Sequence, residues 1–391
     1  MDQKSKILYL HAGAELYGAD KILLELVSLL DKKMFTPIVV LPEEGRLCDK
    51  LKKNGVEVHI IPYPILRRKY FTPKGVIQYV INYRKYSKEL VSFCNKNDIN
   101  IVHVNTSAVL EGCYIKKKLG LPTVWHIHEI LTRPRSVVKF IFKRIAKNSD
   151  KIVCVSKATA DNFVRITGVS NNKIEVIYNG VDNSIYNPNN ETSYLKREFC
   201  IKESDIVVGM IGRINAWKGQ SDFVKSMDEV FDINMNKKSI KAVIVGGVYS
   251  GQEWRIDELK RQINNSKYKD NFILSDFRSD APNIHNLFDI FVLPSVEPDP
   301  LPTVVLESMA TGKPVIGYKH GGVCEMVANK KSGILVEVGN TQDLANSISF
   351  LINNSRERKS FGKNGLNRQK TMFSIDNFIT KFEQIYSKVG K

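Results

Sequence analysis

Closely spaced cysteines are missing from this chain of 391 residues: its six, Cys48, Cys94, Cys113, Cys154, Cys200 and Cys324, are scattered. Such spacing fits neither a disulfide framework nor a zinc site, and it implies a reducing cytoplasm. No apolar run approaches the length that spans a bilayer, and Met1 to Leu10 reads as a short polar lead into a strand rather than a signal peptide. A membrane, if the chain meets one, is expected to be met from its surface. Internal repeats and low-complexity tracts are absent, and 43% hydrophobic with 25% charged residues is the composition of an ordinary globular protein. Acidic residues are scarce in the first half. Residues 1–182 hold 30 Lys plus Arg against 17 Asp plus Glu, whereas the remainder holds 28 against 24. A net charge of +17 placed this way suits nucleic acid, anionic lipid or phosphorylated substrates, and charge alone does not choose among them.

The length suits two α/β domains. Short apolar runs rich in β-branched residues recur between helical stretches, at residues 7–10, 38–41, 58–61, 101–104, 123–127, 151–155 and 174–178. This is the βαβ rhythm of a parallel sheet covered on both faces. It breaks at Asn179-Gly180-Val181-Asp182-Asn183 and resumes at 206–211, 241–245, 271–274, 290–293, 314–318 and 333–336. The expected organisation is a first doubly wound domain over 1–182, a linker over 183–200, a second such domain over 201–373 and a terminal helix over 374–391. That helix places Ile375, Phe378, Ile379, Phe382 and Ile385 on one stripe.

Ligands of doubly wound sheets bind beyond the carboxyl ends of the strands, so the loops there carry the chemistry. After the first strand, Gly13 to Asp20 includes Gly18 and opens a helix at about Asp20, either as an ordinary tight turn or as a close approach to an anion. Strand alternation puts His126 and His128 on one face of the fifth strand, as core histidines or as groups reaching the crevice; a zinc site would need further ligands, which His11, His59 and His103 do not obviously supply. In Gly212-Arg213-Ile214-Asn215-Ala216-Trp217-Lys218-Gly219, Arg213 and Lys218 flank a glycine-bearing turn, a spacing that permits two cations to clamp a diphosphate. Finally, Leu293 to Pro314 is a proline-stiffened loop, with a helix expected to start at Thr303 as N-cap, and Asp299 and Glu307 lie close to that start. The helix dipole explains the sign of these acids but not the prolines around them.

Together these loops resemble the family 4 glycosyltransferases, most strongly over 207–344, where Gly212-Arg213, Lys218-Gly219, Phe291-Val292-Leu293-Pro294-Ser295, the acidic pair, Gly321-Gly322-Val323-Cys324-Glu325 and Ser332-Gly333 follow the family pattern in order. The resemblance implies the GT-B fold, two Rossmann-like domains facing each other across a cleft, and transfer of a sugar from a nucleotide diphosphate sugar with retained anomeric configuration. It implies a donor site of Gly18, Gly212, Arg213, Lys218, Asp299, Leu301, Pro302, Thr303 and Glu307. Arg213 and Lys218 would hold the diphosphate, Glu307 the ribose hydroxyls, and Asp299 and His128 would stand at the transferred sugar. Asp299 departs from the family, which usually has Glu there; Glu297 is the alternative acid, two residues too far from Glu307. No cofactor and no metal is expected, and the cationic clamp makes a DxD-type reading of Glu297-Pro298-Asp299 redundant.

The basic first half then has a place. Arg67, Arg68, Lys69, Arg84 and Lys85 fall among tyrosines in a stretch without acids, and Arg133, Arg135, Lys139 and Lys143 surround Phe140, Ile141 and Phe142. Segments of this kind lie on anionic membranes. The expected partners are therefore a nucleotide-sugar donor, a lipid-linked glycan acceptor of the polysaccharide or O-antigen type and the inner face of the plasma membrane, with no nucleic acid; an ordinary solvated basic face is the alternative. Two other functions fit part of this pattern. A nucleotide-sugar epimerase would need an acid and a base at the sugar carbon, and no second carboxylate in the first-domain loops clearly serves. A non-catalytic nucleic-acid binder would explain the charge but not the four charged residues on strand ends of one domain.

Overall fold

The structure, a computed structural model, describes residues 4–16, 18–67, 70–234 and 239–390. Arg68 and Lys69, expected on the basic face, lie outside the described residues. The chain divides into two compact units, one of residues 1–180 with 376–391 and the other of 181–375.

The first unit is built on β1 (Ser5–Leu10), β2 (Phe35–Leu41), β3 (Glu57–Ile60), β4 (Ile101–Val104), β5 (Thr123–Ile127), β6 (Lys151–Cys154) and β7 (Ile174–Val176), in the order β3-β2-β1-β4-β5-β6-β7. The second holds β8 (Ile206–Ile211), β9 (Ile240–Val245), β10 (Phe272–Ser275), β11 (Ile290–Leu293), β12 (Val315–Tyr318) and β13 (Gly333–Val336), in the order β10-β9-β8-β11-β12-β13. Neighbouring strands run parallel in both. The central strands are buried throughout, β4, β5 and β11 at every residue, which is why they read as continuous apolar runs rather than as alternation. Each order reverses once, between β1 and β4 and between β8 and β11, and the crevice beyond such a switch point is where open α/β sheets take ligands.

Helices cover the faces, and their ends are set locally. Ser156 Oγ accepts from the Thr159 N–H to start Lys157–Thr167, and Gly168 ends it in the left-handed region at φ 67. The helix Ile375–Val389 belongs, from residue 376 on, to the first unit. There Phe378, Phe382 and Tyr386 are buried; Phe382 packs on the His126 ring at 4.9 Å, and Tyr386 Oη and His103 Nδ1 share a hydrogen bond of 2.8 Å. Residues 183–200, expected as a linker, fold instead into the second unit. They contain the helix Ser193–Glu198, whose Leu195 is fully buried, and Asn286 Nδ2 donates to the Asn190 carbonyl at 3.0 Å.

Candidate functional site

In the second unit the loops after β8, β11 and β12 meet backbone to backbone because glycine occupies the contacts. Gly219 has φ +82, and a Cβ there would lie 1.8 Å from the Pro294 carbonyl oxygen. Beside it the Val296 N–H donates to the Trp217 carbonyl at 2.7 Å. Gly321 and Gly322 are pressed the same way against Asp299 and Pro300, and the Gly322 N–H donates to the Asp299 carbonyl at 2.8 Å. These approaches carry Lys218 to Asp299. Its Nζ stands 2.9 Å from each carboxylate oxygen, Ser295 Oγ donates to the same carboxylate at 2.6 Å, and the two charged side chains are only 16% and 11% exposed. Ser295 is itself oriented by His320, whose Nε2 donates to the Ser295 carbonyl. Glu297, the alternative acid, is solvent-exposed.

Arg213 sits one loop over. Its guanidinium lies 3.7 Å from the centroid of the Tyr249 ring, a cation–π contact, and its carbonyl accepts from Gln220 Nε2 at 3.0 Å. A Cβ at Gly246 would stand 1.9 Å from the Gly212 carbonyl oxygen, so the loops after β8 and β9 are as tightly apposed as the others. The helix Thr303–Ala310 begins one residue earlier than expected, at Thr303 itself: Pro302 is the N-cap, without a side-chain cap hydrogen bond, and Thr303 is the first helical residue. Proline fixes its own φ and so ends the loop without a hydroxyl. Leu301 and Pro302 are buried at this start. Glu307, in the second turn, accepts from the fully buried His285 Nε2 at 3.1 Å. Tyr249, His285, Ser295 and His320 were not among the expected site residues. The Gly246-Gly247 pair after a strand could have flagged Tyr249; nothing local marks His285.

In the first unit, Asn105 beyond β4 organises three histidines. Its Nδ2 donates to His11 Nδ1, and its Oδ1 accepts from His126 Nδ1 and His128 Nε2, each at 3.1 Å. The amide's polarity fixes the tautomers: His11 must carry its proton on Nε2, which donates to Asp20 at 2.6 Å. Burial first, and neighbouring histidines second, hold His128 down to about 3 and His126 well below its ordinary range, so both are neutral at pH 7. Their rings are 3.9 Å apart; His126 is fully buried and His128 partly so. Gly18 opens the helix Gly18–Leu29, two residues earlier than expected, and a Cβ there would meet nothing within 4 Å. Packing does not demand glycine at that position, which leaves the space in front of it open. Among the described residues no group of three or more His, Cys, Asp or Glu is placed to hold a metal ion.

On the basic face Arg84, Lys85, Arg133, Arg135, Lys139 and Lys143 are all exposed. Arg67 is 3.9 Å from Glu43, an acid from outside its own acid-free stretch. Ile77, Ile81 and Phe140 stand among these cations, each more than half exposed.

Residues 17–184 match the model of "Glycosyltransferase Family 4" and residues 193–368 that of "Glycosyl transferases group 1". Along its length the chain is 25% identical over 392 residues to the UDP-Gal:alpha-D-GlcNAc-diphosphoundecaprenol alpha-1,3-galactosyltransferase of Escherichia coli, covering 98% of this chain and 97% of that one. It is 24% identical to the N-acetyl-alpha-D-glucosaminyl L-malate synthase of Bacillus anthracis, over 87% of this chain and 91% of the other. The crystal structure of Anabaena HepE in complex with UDP superposes with a TM-score of 0.84, at 22% identity, over 98% of this chain and all of that one. With one family model on each unit and this fold, the chain belongs to the family 4 glycosyltransferases of the GT-B class.

Proposed function

We propose that the chain transfers a hexose-type sugar from a nucleotide diphosphate sugar to a lipid-linked glycan in cell-surface polysaccharide synthesis, with retention and without a metal. The observation that carries this reading is the Lys218–Asp299 pair, clamped by glycine contacts on two loops that flank the switch point of β8 and β11. A diphosphate reaching Lys218 replaces carboxylate by phosphate as the partner of the ammonium, and the released Asp299 oxygens accept from hydroxyls of the transferred sugar. Arg213, held flat by Tyr249, is the second cation and stabilises the charge that grows on the leaving diphosphate. Backbone N–H groups at the start of Thr303–Ala310, beside Leu301 and Pro302, add uncharged donors, whereas the Gly212 N–H is taken by the Val245 carbonyl at 3.0 Å, so that glycine contributes close approach rather than a donor. Glu307, oriented by His285, takes the ribose hydroxyls. Within the first unit, the open space at Gly18 suits a phosphate and the neutral His128 suits a hydrogen bond to a sugar rather than a charge.

Several facts support the substrates. The Escherichia coli relative is named for a UDP-linked donor and an undecaprenyl diphosphate acceptor, and the Anabaena neighbour was solved with UDP. Among the described residues no helix is long and apolar enough to cross a membrane, and the exposed basic face suits peripheral attachment to the cytoplasmic leaflet. The epimerase and nucleic-acid readings are not favoured, since both units match glycosyltransferase models. The test is incubation with a panel of nucleotide sugars and no acceptor. Slow release of nucleoside diphosphate, unchanged by EDTA, is expected, with UDP-sugars first; an isomerised sugar or no turnover of any donor would reject the reading. Once an acceptor is found, proton NMR of the product gives its anomeric configuration.

A further inference from the structure

The helices Pro73–Lys96, Glu111–Leu119 and Arg135–Lys147 of the first unit enclose a groove of about 920 Å³, at the upper end of the range for small-molecule sites. Its wall carries a run of aromatic rings, with Tyr70 5.2 Å from Tyr79, Tyr79 6.0 Å from Tyr83 and Tyr83 6.3 Å from Tyr114. Val76, Val80, Val137, Phe140 and Ile141 complete an apolar lining. Phe140 is 59% exposed and Val80 40%, although both could have been polar at no cost to the core. The charged side chains that line the groove are Arg84, Lys117, Lys118, Arg144 and Lys147, and no acid is found among its described residues. Glu111, buried at the start of its helix, is pushed up to about 8 by burial and so is mostly uncharged at pH 7.

We propose that this groove holds the hydrocarbon chain of a prenyl-type lipid diphosphate, the diphosphate resting on the basic side chains at its rim. The inference rests on the lipid-linked acceptor proposed above and names the part of it that the first unit grips. Charge and shape together select this occupant. An anion alone has no use for a slot lined with tyrosine, valine and phenylalanine, and a neutral lipid has none for five cations. A bilayer surface presents no single chain to fill a slot between three helices.

Calorimetric titration of the full chain with farnesyl diphosphate, with saturating UDP to occupy the donor site, tests it. Saturable binding is expected, about tenfold or more tighter than that of inorganic pyrophosphate and weakened at least about tenfold by Val80→Glu. An Arg84→Gln/Arg144→Gln double variant, altered only at exposed positions, should weaken it comparably and serves if Val80→Glu does not fold by circular dichroism. Pyrophosphate binding as tight as farnesyl diphosphate, indifference to these substitutions, or displacement of the probe by anionic vesicles free of prenyl lipid would each overturn the proposal. Sugar transfer is not read here. Prenyl binding without transfer to a lipid-linked acceptor keeps the groove and rejects the acceptor, and transfer without prenyl binding does the reverse.

Discussion

Asp299 takes hydrogen bonds from Lys218 and Ser295 while almost out of reach of solvent. Removing either charged partner should affect both chemistry and stability. Lys218→Ala is expected to lower turnover by about two to three orders of magnitude, the usual cost of a lost preorganised donor, and, because it leaves the Asp299 carboxylate buried beside Ser295 without its ammonium, to cost about 1–3 kcal/mol of stability as well. Asp299→Ala strands an ammonium on a side chain only 16% exposed, so a comparable kinetic loss should again come with about 1–3 kcal/mol of stability, read from denaturant unfolding. Wild-type turnover in both variants would end the assignment of this pair to the donor. At this scale the sequence marked the unusual residues but not their partners. Lys218 and Asp299 are 81 residues apart, and Glu307 and His285 22; only tertiary contact joins them. His285 sits in a short helix with no motif around it, so its pairing with Glu307 was not legible at all.

Elements follow different rules. The central strands could be read from the chain because parallel strands covered on both faces are apolar at most positions, and the terminal helix because one stripe repeats. Helix starts were less legible. Thr303 has the residue type of an N-cap, but Pro302 takes the position, and Gly18 rather than Asp20 opens the first helix. What the loops do depends on glycine. Gly219→Ala adds a methyl group at φ +82 in contact with the Pro294 carbonyl, which must push the loops after β8 and β11 apart. Turnover is expected to fall at least about a hundredfold, since a 1 Å misplacement can cost that much, and a UDP thermal shift should shrink in parallel. A second expectation concerns β4, β5 and the helix that covers them. Burial holds His103 and His128 at about 3, far below the ordinary 6.5. Histidines with a depressed folded value stay neutral in the native state but take up protons when unfolded, so stability is full above about pH 6.5 and is lost as the pH falls toward 3. Unfolding midpoints recorded across that range should drop, and His103→Gln should flatten the slope.

At the scale of the whole molecule, the two units have different kinds of continuity. The second is one unbroken segment, 181–375, whereas the first needs 376–391 from the far end of the chain. The fragment 181–375 is therefore expected to fold alone and to gain a few degrees in Tm with UDP. Residues 1–180 alone should be insoluble or partly unfolded, with β1, β4 and β5 missing the cover of Phe378, Phe382 and Tyr386, and adding the 376–391 peptide should restore ordered near-ultraviolet circular dichroism. Cooperative folding of 1–180 without the peptide would show that the helix is an accessory. The asymmetry of charge belongs to this scale too. It was plain in composition, yet which cations border an apolar groove and which, like Arg67, meet an acid from another loop required the folded chain.

The same discontinuity orders events during synthesis. Residues 376–391 leave the ribosome only after all of 181–375 has been made, so the amino-terminal half waits, its sheet partly bare, while its younger neighbour matures. Domains ordinarily mature in the order of translation; here the sequence of completion is inverted, and a nascent chain stalled before residue 376 is a natural client for a holdase chaperone.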